Sequence, residues 1–378
     1  MARSCTRLGN TGNPALGDRM RVVRGGLDEA ELYHLGLDRE QVLDFSSSIN
    51  PLGTADSVRN AALSADLAAY PDRQSWRLRV ALATSEGIRP NEVVVGNGSA
   101  ELIHLIAQNY LNATSRCLIL APTFGEYEAA AAQTGAEVVH LRARQEDGFR
   151  WPIPSTVTRI EQARPDLVFL CNPNNPTGVY LDRITVTRLA EAAGSSGLLV
   201  LDDAFVPFVT TPWDTRSLID SGKVILVRSL TKSHALAGVR LGYAIARENI
   251  IERIESLQYT WSVNAIAQAA GLAALREDKH VERAREVVGE AMAYLRDELL
   301  RIGLFPEPPD ANFLIVDVGD GARVREALLH HAIAVRDCTS FGLPGYIRIA
   351  ARPLVECKYL IAALEKIMAE GVITGVNL

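Results

Sequence analysis

The sequence predicts an α/β protein with a mostly parallel sheet in a large domain, followed by a smaller α+β domain. Short, continuous apolar runs recur through the middle of the chain, such as LVFL at 167–170 and LLVL at 198–201. Segments with helical spacing of apolar residues separate these runs, a pattern typical of parallel strands covered by helices on both faces. The length of 378 residues also exceeds the roughly 250–300 residues at which a single core stops growing.

The predicted strands of the large domain lie between residues 93 and 246. They are VVV at 93–95, CLIL at 117–120, EVVHL at 137–141, LVFL, LLVL, VILV at 224–227 and GYAIA at 242–246. Between them, ELIHLIAQNYL (101–111) and GEYEAAAAQTG (125–135) are predicted as helices, the second ending at Gly135.

The character of the chain changes after about residue 260. AIAQAAGLAAL (265–275) and the amphipathic segment 281–303 predict two long helices, the second ending at Gly303. NFLIVDV, VREALLHH, AIAVRD, YIRIA and a final helix from about Pro353 then predict α+β structure. We therefore expect an N-terminal arm with part of the small domain at 1–60, a large domain at 61–285 and a C-terminal small domain at 286–378.

Composition excludes several function classes. The net charge of -6 disfavours nucleic-acid binding. We expect no membrane span, because no apolar run reaches about 18 residues, and no secretory signal at the polar N-terminus. The five cysteines lack metal-ligand spacing, so we expect no metal site and free thiols in a cytoplasmic protein.

The turn between VVV and the following helix reads GNGSAE and is a candidate anion site. A dinucleotide fingerprint would need a third glycine where Glu101 stands, so NAD binding is not indicated. A glycine-rich turn still presents backbone N–H groups of a helix N-terminus to an anion. An ordinary strand-to-helix turn is equally compatible with this segment alone.

The segment SLTKSHALAGVRLGY (229–243) carries the strongest chemical signal. It places one hydroxyl three residues before Lys232, another directly before it and Arg240 eight residues after it. This set suits a phosphorylated aldehyde cofactor, because the lysine amine can form an imine while Ser229, Thr231 and the arginine hold the phosphate.

Two polar residues follow predicted strands on the same sheet. Asn175 lies in the loop NPNNPTG after LVFL, and Asp202 ends LLVL. An amide could donate to a phenolic oxygen of a bound ring, and a carboxylate could pair with a pyridinium nitrogen. Singly, each residue could equally be a turn former or a helix cap, but their order with Lys232 indicates a site.

With the motifs NNPTG (174–178) and S-x-T-K-x(7)-R (229–240), the sequence resembles the pyridoxal phosphate-dependent enzymes of the aspartate aminotransferase superfamily. The resemblance runs from about Arg24 to the final helix. It implies the transferase fold of type I, with a mostly parallel mixed sheet between helices and a smaller α+β domain. It also implies pyridoxal 5'-phosphate as the cofactor and a homodimer with shared active sites.

The resemblance also implies residue roles. Lys232 binds the cofactor and carries protons, Asp202 pairs with the pyridine nitrogen, and Asn175 bonds the ring oxygen beside the substrate. Phe124 stacks on the ring, and Tyr70 reaches the phosphate in the other subunit. The residues implied to bind phosphate are Gly98, Ser99, Ala100, Ser229, Thr231 and Arg240.

Two branches of the superfamily are similar to this chain, histidinol-phosphate aminotransferase and the L-threonine O-3-phosphate decarboxylase of cobalamin biosynthesis. LDFSSSINPLG (43–53), LDDAFVPF (201–208) and YTWSVNAIAQ (259–268) resemble the decarboxylase. Phe205 in the second segment stands where most transaminases have a tyrosine that also bonds the ring oxygen.

The same resemblance implies an anionic amino acid as the substrate. Arg348 would hold its α-carboxylate and Arg336 a second anionic group, since two fixed guanidinium groups suit two anionic ends. Arg24 and Ser48 replace a histidine and an asparagine of the decarboxylase pattern at substrate-facing positions. These two differences leave the substrate open.

We therefore predict a lyase that decarboxylates a phosphorylated amino acid through an external aldimine, with an aminotransferase of the histidinol-phosphate type as the alternative. A catalytically silent binding protein of the same fold is the alternative of another class. The presence of Lys232, Asp202 and Arg240 argues against silence.

Overall fold

The computed structural model describes residues 25–373. Its strands are β1 (Leu43–Asp44), β2 (Val93–Asn97), β3 (Arg116–Ala121), β4 (Glu137–Arg142), β5 (Leu167–Cys171), β6 (Leu198–Asp202), β7 (Val224–Ser229), β8 (Leu241–Ile245), β9 (Phe313–Asp317), β10 (Ile333–Ala334), β11 (Arg336–Asp337) and β12 (Tyr346–Ala350).

Helices occupy most of the remaining chain. They are α1 (Glu29–Leu35), α2 (Asp56–Leu63), α3 (Trp76–Glu86), α4 (Gly98–Tyr110), α5 (Glu126–Gln133), α6 (Ile153–Ala163), α7 (Arg183–Gly194), α8 (Leu230–Ser233), α9 (Glu248–Glu255), α10 (Ala265–Ala274), α11 (Asp278–Arg301), α12 (Gly321–Leu329) and α13 (Leu354–Ala369).

The large sheet has the strand order β2-β8-β7-β6-β5-β3-β4. Pairs from β7 to β4 are parallel, and β8 runs antiparallel to both neighbours. Alternate residues of one strand enter opposite cores: Val168 and Leu170 join one apolar cluster, whereas Leu167 and Phe169 join another. Both faces are therefore buried, which explains the continuous apolar runs and confirms the predicted fold class.

A second, smaller core surrounds the antiparallel sheet β11-β12-β9. The N-terminal part of the chain is divided between the two cores. β1 pairs with β10 and Phe45 enters the small core, whereas Val58 of α2 enters the large-sheet core. The domain limits at residues 60 and 285 stay a prediction.

The parallel strands place the predicted functional side chains at one edge of the large sheet. Asp202 is the last residue of β6, the loop with Asn175 follows β5, and Lys232 lies in α8 directly after β7. Carboxyl ends of parallel strands meet at one edge, where such sheets bind ligands. Within residues 25–373, no helix is both long and apolar enough to cross a bilayer.

Candidate active site

A cavity of about 340 Å³ lies between the carboxyl edge of the large sheet and the small antiparallel sheet. It brings together residues that are far apart in the chain. The sequence-predicted residues that line it are Ser48, Ser99, Ala100, Phe124, Asn175, Asp202, Phe205, Thr231, Lys232, Arg240, Arg336 and Arg348.

One end of the cavity is formed by the N-terminus of α4. Gly98 begins this helix with φ +77°, and a Cβ there would lie 2.5 Å from Nη2 of Arg240. A Cβ on Gly242 would lie 2.4 Å from the backbone nitrogen of Ser99. Both glycines are therefore required for the guanidinium and the helix N-terminus to approach each other. Free N–H groups beside an arginine form an anion site.

Two hydroxyl groups complete this end. Ser229 caps α8 by accepting from the backbone N–H of Thr231, and the two side-chain oxygens lie 2.5 Å apart. Ser229 lines an adjoining cavity rather than the central one. Arg240 has φ 62°, a left-handed conformation that side-chain-bearing residues seldom adopt. The sequence-predicted phosphate residues thus converge from β2–α4, β7–α8 and the loop before β8.

The floor of the cavity carries a buried carboxylate. Oδ2 of Asp202 accepts from the Tyr127 hydroxyl at 2.8 Å, and Oδ1 accepts from the backbone N–H of Ala204 at 3.1 Å. Burial raises the pKa of Asp202 to about 6, and the tyrosine hydrogen bond opposes this shift. A cationic ring nitrogen placed here would favour the ionised form.

Lys232 lies beside an aromatic wall. Its Nζ is 5.5 Å from the centroid of the Phe205 ring, which packs edge-on against Phe313 at 5.0 Å. The guanidinium of Arg348 lies 5.1 Å from that Phe313 ring. A series of contacts therefore runs from the amine through the rings of Phe205 and Phe313 to this guanidinium.

The opposite end of the cavity presents two guanidinium groups. Arg336 and Arg348 are direct partners in the antiparallel pair β11–β12, so their side chains share one face of the small sheet. Nη2 of Arg348 donates to the carbonyl of Ser46 at 2.8 Å, and Nη1 donates to Oδ1 of Asn175. Arg336 donates to the hydroxyl of Ser340 at 2.6 Å.

Both arginines lie in a low-dielectric setting. Burial lowers the pKa of Arg348 to about 10, which still leaves the side chain charged at neutral pH. Burial also lowers the pKa of Arg336. Among the described residues, Nε of Arg348 has no hydrogen-bond partner. This end is therefore suited to an anion that supplies the missing acceptor.

Three of the sequence-predicted residues differ from the others in their surroundings. The Ser48 hydroxyl is buried in the cavity wall and has no partner within residues 25–373, so it remains available to a ligand. Tyr70 does not line this cavity; it is 81% exposed and stacks on Trp261 at 4.5 Å. Arg24 lies outside the described residues.

Sequence reasoning missed some of the lining. Tyr127, Ser46 and Phe341 also border the cavity, and Tyr127 touches the key carboxylate. The signal for Tyr127 was its position three residues after Phe124 at the start of a predicted helix, which places the two on neighbouring surface. Nothing in the sequence near Phe341 indicated that its ring would lie 5.3 Å from the Arg336 guanidinium.

These residues fit pyridoxal phosphate. The close approach that the two glycines allow brings an arginine and a helix N-terminus together near two hydroxyl groups, a set of donors that suits a phosphate. The buried Asp202 carboxylate suits a pyridinium nitrogen, the Asn175 amide suits a ring oxygen, and the amine of Lys232 suits an aldehyde.

Comparison with known proteins agrees with this fit. The family described as "Aminotransferase class I and II" matches residues 40–364. A histidinol-phosphate aminotransferase from Symbiobacterium thermophilum is 35% identical over 341 residues, covering 89% of this chain and 93% of the relative. The threonine-phosphate decarboxylase of Salmonella typhimurium is 33% identical over 357 residues, covering 91% of this chain and 96% of the relative.

A solved structure shows the same fold. The histidinol-phosphate aminotransferase from Sinorhizobium meliloti, in complex with pyridoxal-5'-phosphate, superposes with a TM-score of 0.83 at 24% identity, covering 96% of this chain and 99% of that one. The resemblance drawn from the two motifs and the predicted fold are both confirmed. The chain therefore belongs to the class I and II aminotransferase family of pyridoxal phosphate-dependent enzymes.

Proposed function

We propose that this enzyme decarboxylates a small phosphorylated amino acid, most simply L-threonine O-3-phosphate. The observation that carries the proposal is the placement of Arg336 directly opposite Arg348 on β11–β12, both buried and both facing one cavity. Two buried guanidinium groups on one face of the sheet suit a ligand with two anionic groups.

The spacing favours a compact substrate. Directly opposite residues of an antiparallel pair have Cα atoms only about 4.5–5.5 Å apart. A carboxylate on Cα and a phosphate on the neighbouring carbon are close enough to meet both guanidinium groups. Histidinol phosphate has one anionic group and an imidazole, so it would use one of the two arginines, whereas the 2-oxoglutarate of the same aminotransferase would use both.

The cofactor and the side chains of the protein would contribute different parts of the reaction. When bound, pyridoxal phosphate supplies an aldehyde that condenses with amines and a protonated ring that draws electrons from bonds at the substrate Cα. Asp202 would keep the ring nitrogen protonated, Asn175 would donate to the ring oxygen, and Phe124 would cover one ring face. Lys232 would hold the aldehyde carbon until the substrate amine replaces it.

The remaining steps belong to the side chains around Cα. Arg336 and Arg348 would orient the two anionic groups and so select which bond at Cα stands perpendicular to the ring. Nζ of Lys232, released from the cofactor, would deliver a proton to Cα after the carboxylate has left as CO₂. The apolar ring of Phe205, 5.5 Å from Nζ, would limit the access of water to that proton transfer.

The alternative is an aminotransferase of the histidinol-phosphate type, and the similar identities of relatives with both activities support it. In that case Nζ of Lys232 would move a proton from Cα to the cofactor carbon. The reading as a silent binding protein is disfavoured by membership in an enzyme family and by the buried placement of Asp202 in the same cavity as Lys232.

Product analysis tests the proposal. The protein loaded with pyridoxal phosphate is mixed with L-threonine O-3-phosphate, with and without 2-oxoglutarate. We expect CO₂ and aminopropanol phosphate at the same rate in both mixtures. Pyridoxamine phosphate, with glutamate formed only when the keto acid is present, would replace the proposal by the aminotransferase. No reaction would exclude this substrate and direct a panel of anionic amino acids to the site.

We also propose a homodimer with shared sites. Tyr70 and Trp261 stack on each other outside the cavity, and both are exposed, as are the apolar side chains of Tyr259, Leu63 and Leu67. Such a surface would be buried by a second copy, and Tyr70 would then reach the phosphate end of the partner's cavity.

Mixing inactive variants tests this arrangement. Tyr70→Phe and Lys232→Ala subunits are combined, and activity is compared with that of each variant alone. If Tyr70 acts across the interface, one site of each mixed dimer has both intact residues and activity returns. No recovery in a proven mixed dimer would show that Tyr70 does not act in the partner's site.

We further propose a cytoplasmic location and small-molecule rather than nucleic-acid or membrane partners. The described cysteines, Cys117, Cys171, Cys338 and Cys357, are all buried free thiols, as in a reducing compartment. We also propose that the chain divides into domains near residues 60 and 285, supported by the apolar cluster of the small sheet, most of whose residues follow position 283.

A further inference from the structure

Tyr127 lines the floor of the cavity beside Asp202. It is completely buried in the first turn of α5, and its hydroxyl donates to Oδ2 of Asp202 at 2.8 Å. The backbone N–H of Ala204 donates to the other oxygen, so each carboxylate oxygen of Asp202 accepts one hydrogen bond. The plane of the carboxylate is therefore fixed by two donors from different elements.

The ring of Tyr127 is held as firmly as its hydroxyl. It stacks on Phe169 of β5 with centroids 4.8 Å apart and an interplanar angle of 10°. It also meets Phe124 edge-on, with centroids 5.7 Å apart and an angle of 88°. Such ring pairs stabilise one geometry over others. Tyr127 thus contacts both the carboxylate on the cavity floor and the aromatic side chain on the cavity wall.

We propose that Tyr127 is a positioning residue of the cofactor site, whose hydroxyl sets the orientation of Asp202 and whose ring supports Phe124. The proposal rests on the proposed roles of Asp202 and Phe124 in holding the cofactor ring. It assigns to one side chain the joint alignment of the ring-nitrogen contact and the stacking contact.

The electrostatics agree with this geometry. Burial raises the pKa of Tyr127 well above its usual value, so its hydroxyl stays a neutral donor over the working range of pH. Its hydrogen bond lowers the pKa of Asp202 against the opposing effect of burial. Removing the hydroxyl while keeping the ring should therefore make the Asp202 carboxylate harder to ionise.

The test measures cofactor binding rather than activity. Pyridoxamine 5'-phosphate is titrated into cofactor-free protein from pH 5 to 8 and followed by fluorescence. This probe lacks the aldehyde, so bonding to Lys232 does not contribute. For Tyr127→Phe we expect the pH midpoint of binding to rise by about one unit and the affinity at pH 6 to fall about 10-fold, as for loss of a hydrogen bond to a charged group.

Tyr180→Phe is the matched control. The Tyr180 hydroxyl accepts from the backbone N–H of Trp213, away from the cavity, so this variant should bind the probe like the original protein. A purely structural role of Tyr127 would lower the unfolding temperature and leave the pH midpoint unchanged, which would overturn the proposal.

Asp202→Asn separates the two possible failures. If this change leaves probe binding unaltered, the proposed cofactor role of Asp202 fails and the Tyr127 proposal fails with it. If Asp202→Asn weakens binding and Tyr127→Phe does not, only the Tyr127 proposal fails. When both act, adding Tyr127→Phe to Asp202→Asn should have little further effect, because the hydroxyl acts through the carboxylate.

Discussion

The two ends of the cavity are built in different ways. The phosphate end comes from short stretches that follow strands of one sheet, with Ser229, Thr231 and Lys232 inside four consecutive residues. The anion end comes from distant segments, because Arg348 bonds Ser46 of the N-terminal segment and Asn175 of the proposed large domain.

We therefore expect the phosphate end to govern cofactor binding and the anion end to govern which substrate reacts and which bond of it breaks. At the phosphate end, a side chain at Gly242 would meet the backbone of Ser99, and one at Gly98 would meet the Arg240 guanidinium. The anion end depends on how the small sheet sits against the large one. Small shifts of that sheet would move both guanidinium groups relative to a fixed cofactor, so we expect changes here to alter the substrate and the reaction before cofactor binding.

The largest expected effect is the loss of turnover on substitution of Lys232. Lys232→Ala should lower turnover by about 10²–10⁴-fold, the usual contribution of a positioned proton carrier, while the phosphate end still binds cofactor. Borohydride trapping followed by peptide mass analysis should lose the modified lysine. Lys223→Ala, at an exposed lysine just before β7, is the control. Near-normal turnover in Lys232→Ala would disprove the assignment.

Arg348→Ala should lower the affinity for substrate much more than the affinity for cofactor. Removing one side of a buried hydrogen-bonded pair weakens binding by about 2–5 kcal/mol, so the apparent affinity for an α-carboxylate substrate should fall strongly. Cofactor affinity should change little. The matched control is Arg352→Ala, because that arginine pairs with Glu356 outside the cavity. Equal losses of cofactor and substrate binding would show that the ends are not independent.

Acid should weaken cofactor binding before it unfolds the protein. The pKa of Asp202 is about 6 in the cofactor-free fold, so the carboxylate is protonated below this pH and cannot pair with a pyridinium. Affinity should therefore fall about tenfold per pH unit below 6. Fluorescence titration measures this slope. Asp202→Asn should bind weakly at every pH, and an unchanged slope in that variant would assign the titration to another group.

Phe205→Tyr should have the smallest effect. It adds a hydroxyl to a ring 5.5 Å from Nζ of Lys232, where a phenol could reach the cofactor oxygen. We expect the pH midpoint of the bound cofactor's visible absorbance to shift by up to about one unit, as for one hydrogen bond. Phe208→Tyr, at a buried phenylalanine outside the cavity, should leave that midpoint unchanged. Equal shifts in both variants would indicate a general effect of buried hydroxyl groups.

The fold class and the cofactor could be predicted correctly from the residues alone, and the same residues predict the phosphate end of the site. Continuous apolar runs such as LVFL predict buried parallel strands because both faces of each strand must be covered, and the structure shows this in the two cores that share β5. The motif around Lys232 was readable because its groups are neighbours along the chain, and one turn and one short helix suffice to bring them together.

The arginine pair and the Tyr127 contact with Asp202 depend on tertiary packing and are visible only in the folded chain. The register of β11 against β12 sets Arg336 opposite Arg348, and no pattern in the sequence specifies a pairing across the eight residues, 338–345, between these strands. The contact of Tyr127 with Asp202 joins residues 75 positions apart. Strand-end motifs are local, whereas the orientation of a carboxylate and the distance between two guanidinium groups depend on packing between elements that meet only in the folded chain.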